Sequence, residues 1–188
     1  MRAPAAAAAA AADARRFPLE TTIAVARMLL ARVFDRHAAL VLLLAHGGGT
    51  LPFLAGRLES CIAHDAHVHA RAAAPARGVW AVLRENILLD AVVYSGLGLR
   101  AAVEASGADR VLFGTANPRP GLPLLTRRPG TDHPFFPPLG GEAGEPKWLS
   151  VTTNYRAIEE TFGSDSEKAA GVLGGNAVRL LKLQSTPA

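Results

Sequence analysis

The chain has 188 residues, of which 49% are hydrophobic, enough for one substantial core and too apolar for general disorder. A single cysteine, Cys61, excludes an intrachain disulfide and a CxxC metal site; it fits a reducing compartment such as the cytoplasm and is expected as a buried core thiol. The formal charge of +4 does not mark a nucleic-acid face, because residues 1–16 carry net +2 and residues 116–131 net +3, leaving the remainder at −1. Salt-sensitive DNA binding is therefore expected to be absent, and its survival in a chain lacking both segments would contradict this reading. No apolar run approaches the ~18 residues of a membrane span, so the expectation is a soluble protein.

Residues 1–16, MRAPAAAAAAAADARR, read as a low-complexity tail or a weak targeting segment; alanine permits helix there without supplying a face to pack. Phe17-Pro18-Leu19-Glu20 then opens a helix through Phe34. Val41 to Leu44 is a short apolar run before a glycine cluster, which predicts a strand buried on both faces, as in parallel sheets. His46 falls just past its carboxyl end, the edge where α/β folds place ligands and catalytic side chains. Gly47, Gly48 and Gly49 allow a tight turn whose N–H groups could approach a ligand, and Thr50 can cap a helix from Leu51. The residues alone leave open whether His46 is functional or merely packed among structural glycines.

His64, His67 and His69 spell HxxHxH, but they follow a helix and precede an Ala/Arg loop, so a solvated helix end is expected over a metal pair. Residues 78–86 predict a short helix and 87–93 a second buried strand. The following GxGxxA, from Gly96 to Ala101, has the context of a dinucleotide fingerprint. The third strand, 110–113, ends in Gly114-Thr115-Ala116 and lacks the acid a ribose needs, which argues against a nucleotide fold. Residues 116–131 carry four prolines and no periodicity, and read as an insertion. Deleting them rejoins VLFGT with DHPFFPPLG and places Asp132 at a strand end. Helices over 148–162, 166–173 and 177–183 complete a domain spanning 17–183.

Taken together, AHGGGTLPFLAGR at 45–57, ILLDAVV at 87–93, VLFGT followed by DHPFFPPLG, and GVLGGNAVRLLKL at 171–183 resemble the amidohydrolase-related decarboxylases. This branch contains aminocarboxymuconate-semialdehyde decarboxylase and the resorcylate-type decarboxylases. The resemblance implies an α/β fold, the carboxyl-terminal part of a metal-dependent (β/α)8 TIM-like barrel. Three strands are visible where a whole barrel has eight in roughly 250 residues, so the barrel is expected to be incomplete.

What the resemblance implies for the site is specific. His46 matches the catalytic histidine beside the metal. Asp132 matches the aspartate that ends the last strand, catalytic and metal-binding. Arg57 matches an arginine that meets the substrate carboxylate, in some members across a subunit interface; against that stands a surface salt-bridge role. The cofactor implied is a divalent metal, zinc, most of whose ligands are missing from this chain. The partner implied is a small-molecule carboxylic acid, with room for a homo-oligomer. The activity implied is non-oxidative decarboxylation of an unsaturated or aromatic acid. Hydrolysis of C–N or C–O bonds uses the same parts, and an inactive half-barrel fragment that binds a partner through strand edges is the third reading.

Overall fold

The computed structural model describes residues 5–64, 77–114, 139–140, 146–147, 149–164 and 166–183. Helix α1 (Ala5–Leu30) starts inside the alanine tract and runs through Pro18 instead of opening at Phe17. Alanine has the highest helix propensity, which favours prolonging the helix against Pro18, whose ring removes the bond to the carbonyl four residues back and crowds that carbonyl. Arg32, in the left-handed region at φ 56°, breaks the chain into α2 (Val33–Arg36), which buries Phe34.

Strands β1 (Leu42–Leu44), β2 (Ile87–Asp90) and β3 (Val111–Leu112) form a parallel sheet in that order, with Leu42 beside Ile87 and Leu89 beside Val111. Parallel neighbours require crossovers. Helices α3 (Leu51–His64) and α4 (Val79–Glu85) join β1 to β2, and α5 (Gly96–Ser106) joins β2 to β3. After the two-residue strands β4 (Leu139–Gly140) and β5 (Pro146–Lys147), which pair antiparallel, come α6 (Leu149–Phe162), α7 (Glu167–Ala170) and α8 (Asn176–Leu180). A wide turn, Gly171–Gly175, links the last two. It leaves the Val172 carbonyl to accept the Phe113 N–H just beyond β3.

Strand alternation divides the apolar residues between two faces. Leu44, Ile87, Leu89 and Val111 face the helices and share one core with Leu51, Ala55, Val79, Leu83, Leu99 and Ile158. The opposite face carries Leu43, Leu88 and Leu112, and Asp90 at its carboxyl edge. Leu88 and Leu112 are buried, but Leu43 is 54% exposed, which corrects the expectation of a first strand covered on both faces. Among the described residues β1 is the edge of its sheet, so nothing flanks Leu43 on that side. Cys61, expected in the core, is exposed on α3, because the buried positions of that helix are Leu51, Ala55 and Ile62.

Three buried asparagines tie the loops to the strands. Asn86 donates to the carbonyls of Ala38 and Leu40, before β1, and Asn154 accepts the Tyr94 N–H after β2. Asn176 donates to the carbonyls of Ala108 and Val111, both at 2.8 Å. Asn176→Ala leaves those two carbonyls without their donor and is expected to cost about 2–4 kcal/mol. Equilibrium urea unfolding checks this, and a loss under about 0.5 kcal/mol would show the latch to be dispensable.

Candidate active site

The carboxyl ends of β1 and β2 lie side by side, and the segments leaving them converge on one carboxylate. The Asp90 Oδ1 accepts the N–H of Gly47 at 2.7 Å and of Val92 at 3.1 Å. Burial pushes the Asp90 carboxyl above the usual carboxylate range, against the opposing pull of the Gly47, Val92 and His46 N–H groups and of the His46 charge. The paired N–H groups are what make a carboxylate tolerable at a partly buried strand end.

The turn after β1 is left-handed throughout: His46, Gly47, Gly48 and Gly49 have φ of 59°, 57°, 79° and 66°. This curls its amides inward. Gly48 N–H bonds the Ala45 carbonyl, Gly49 N–H the His46 carbonyl, and Thr50 N–H the Thr22 hydroxyl at 2.8 Å. With Gly47 held by Asp90, every amide from Gly47 to Thr50 has an internal acceptor. The expectation that these glycines offer N–H groups to a ligand is therefore overturned, and Thr50 binds Thr22 with its side chain instead of capping α3. The glycines supply conformation and room: a Cβ on Gly47 would sit 2.3 Å from Val93 Cγ1, and one on Gly49 2.1 Å from the Pro18 carbonyl oxygen.

His46 is the one side chain in this left-handed run, a conformation that costs a non-glycine residue about 1–3 kcal/mol. Its ring lies parallel to that of Phe17 on α1, 6.4 Å between centroids and 6° between planes. Its Nδ1 is buried and has no hydrogen-bond partner among the described residues. A buried ring nitrogen without a partner among the described residues is uncommon in a folded chain.

The remaining sequence candidates fall elsewhere. Arg57 is exposed on α3 and makes no ion pair among the described residues. His64 ends α3 in solvent, its Nδ1 2.7 Å from the Ser60 carbonyl. Asp132, His67, His69 and the 116–131 segment lie outside the described residues. Among the described residues no group of three His, Cys, Asp or Glu side chains could hold a metal ion. No helix among them is long and apolar enough to cross a membrane.

Sequence reasoning missed Phe17, Thr22 and Asp90. An acid closing an otherwise apolar strand, ILLD, was the available signal for Asp90. Phe17 and Thr22 carried none, because their contacts come from α1 packing against a loop about thirty residues away.

Comparison with solved structures places this corner in context. The chain superimposes on apo IDCase of Metarhizium anisopliae with a TM-score of 0.74 and 48% identity, over 90% of this chain and 41% of that one. It superimposes on dihydroxybenzoic acid decarboxylase of a Polaromonas species, solved with manganese and 2-nitroresorcinol, with a TM-score of 0.56 and 25% identity, over 90% and 42%. The 5-carboxyvanillate decarboxylase of Sphingomonas paucimobilis shares the fold, with a TM-score of 0.61 at 23% identity, over 89% and 41%. The chain thus spans about two fifths of the length of these relatives, and its three-stranded parallel sheet with flanking helices is part of a (β/α)8 barrel. Since the amidohydrolase family model also matches residues 3–183, nearly the whole sequence, this chain belongs to the amidohydrolase family, in the branch whose solved members include decarboxylases.

Proposed function

We propose that this chain carries the proton-handling corner of a metal-dependent carboxy-lyase that removes CO2 non-oxidatively from an unsaturated or aromatic carboxylic acid. The observation that carries the reading is the His46 imidazole, held at a strand's carboxyl end with a buried nitrogen that has no partner among the described residues, in a chain 48% identical to IDCase over the matched part. When the C–C bond to the carboxylate breaks, its electron pair stays on carbon and one proton must replace CO2. His46 is the group proposed to deliver it. Because the loop amides from Gly47 to Thr50 are all engaged, the substrate carboxylate falls to a cation, and Arg57, with no ion pair among the described residues, is the side chain proposed for it.

The family resemblance assigns Asp132 as catalytic carboxylate and metal ligand. The ion is proposed to be divalent; manganese is the metal named in the Polaromonas relative, and none of these relatives supports zinc in particular. The described donors do not by themselves compose a metal site. Residues 116–131 are proposed to be an insertion between VLFGT and Asp132.

Release of CO2 from aromatic acids, assayed beside amide and lactone hydrolysis, tests the reaction class; hydrolysis without CO2 would overturn it. A catalytic site needs about three protein ligands, and the resemblance assigns Asp132 alone in these 188 residues. The purified 188-residue chain is accordingly expected to retain well under one equivalent of metal. One equivalent, with decarboxylation abolished by Asp132→Ala, would contradict that.

A further inference from the structure

We infer that Asp90 is the positioning residue for His46: its carboxylate, by accepting the Gly47 and Val92 N–H groups together, holds the left-handed turn that fixes where the imidazole points. The inference rests on His46 being the proton donor proposed above. Gly47 follows β1 and Val92 follows β2, 45 residues apart in sequence, and one Asp90 oxygen joins them. Without that acceptor no other group among the described residues compensates Gly47 for a conformation in which its N–H points away from the carbonyls of its own turn. The neighbouring amides close within the turn or on Thr22, so they fix its far end and leave the His46 end to Asp90.

The ring is thereby bounded from two sides. Phe17 lies against one face, and the peptide that carries the ring is fixed through Asp90. Neither contact uses a ring nitrogen. Nδ1 has no partner among the described residues while the backbone beneath it is bonded, as suits a group that must exchange a proton without moving. Asp90 itself is poorly placed to react, because the oxygen it turns toward the loop already accepts two N–H groups.

The test uses the intact 188-residue chain and needs no turnover. In Asp90→Ala, amide exchange measured by NMR is expected to accelerate at least tenfold at Gly47 and Val92, while the Leu42 and Asn86 amides, bonded elsewhere, change less than threefold. Asp90→Asn keeps an oxygen acceptor and is expected to restore most of the protection. Carbethoxylation of His46, followed by peptide mass spectrometry, should accelerate several-fold in Asp90→Ala and not in Asp90→Asn, with exposed His37 and His64 as internal references. Unchanged Gly47 exchange and His46 labelling in Asp90→Ala, or identical behaviour of the two variants, would overturn the inference. Should Asp90→Ala fail to fold, the unmodified chain decides: a scalar coupling across the hydrogen bond from Gly47 nitrogen to the Asp90 carboxyl carbon supports the inference, and its absence overturns it. Where decarboxylation is measurable, Asp90→Ala should lower kcat at least tenfold with KM within threefold. A completed barrel carrying this segment that releases no CO2 sinks the proposed reaction, while the amide and labelling results on the 188-residue chain still decide the role of Asp90.

Discussion

In a completed barrel carrying this segment, replacing His46 by alanine is expected to lower decarboxylation by about 10²–10⁴-fold while leaving bound metal unchanged, whereas Asp132→Ala should lower both. The difference follows from their assigned roles. A positioned acid or base contributes rate through a proton and nothing to ion affinity. A carboxylate ligand contributes to affinity first, and the rate falls with the ion. His46 stacks on Phe17 and keeps Nδ1 free of any protein partner among the described residues, so its removal should leave the fold in place and take away only the proton. Metal content and turnover measured on the same preparations check this. Equal metal loss in the two variants would place His46 among the ligands and overturn its assignment.

Gly49→Ala should be the most damaging small substitution in the turn. Gly49 has φ 66° and ψ −123°, a combination open in practice to glycine alone, which costs another residue about 1–3 kcal/mol. The added Cβ would also lie 2.1 Å from the Pro18 carbonyl oxygen, a backbone atom of α1 that cannot swing aside. Relief requires moving α1, and with it the Phe17 ring and the Thr22 hydroxyl that accepts the Thr50 N–H. A total loss of more than about 3 kcal/mol is expected from denaturant midpoints. Gly56 is the natural comparison. It is exposed within α3, where a Cβ would meet only Trp80 at 3.8 Å, so Gly56→Ala should stabilise by about 0.5–1 kcal/mol. Similar effects from the two substitutions would show that the close approach of α1 to the turn is not as described.

Local pattern carried the strands and their order of appearance. VLLL, ILLD and VLF are short, largely apolar runs, and each contributes a strand of one parallel sheet. Their lengths were overestimated. Periodicity cannot see that the chain after Asp90 folds back, with Val92 bonded to the Asp90 carboxylate and Val93 to the Ala91 carbonyl. The position of His46 just past the carboxyl end of β1 was legible, because the apolar run stops there. What the glycines do was not legible, since amides presented to a ligand and amides closed on Asp90, Ala45, His46 and Thr22 come from the same letters. The exposure of Cys61 and Leu43 likewise depends on which side of a helix or sheet the neighbouring elements cover, which is tertiary information.

The most direct test of the central claim is a transplant. Residues 17–183 of this chain, with 116–131 deleted, replace the matching part of Metarhizium IDCase, with which the chain shares 48% identity. The hybrid is assayed for CO2 release from the IDCase substrate with added manganese. The account predicts metal-dependent release that falls at least about a hundredfold in His46→Ala and returns to background without metal. A folded, metal-loaded hybrid that releases no CO2, or one whose release is indifferent to His46→Ala, would contradict it.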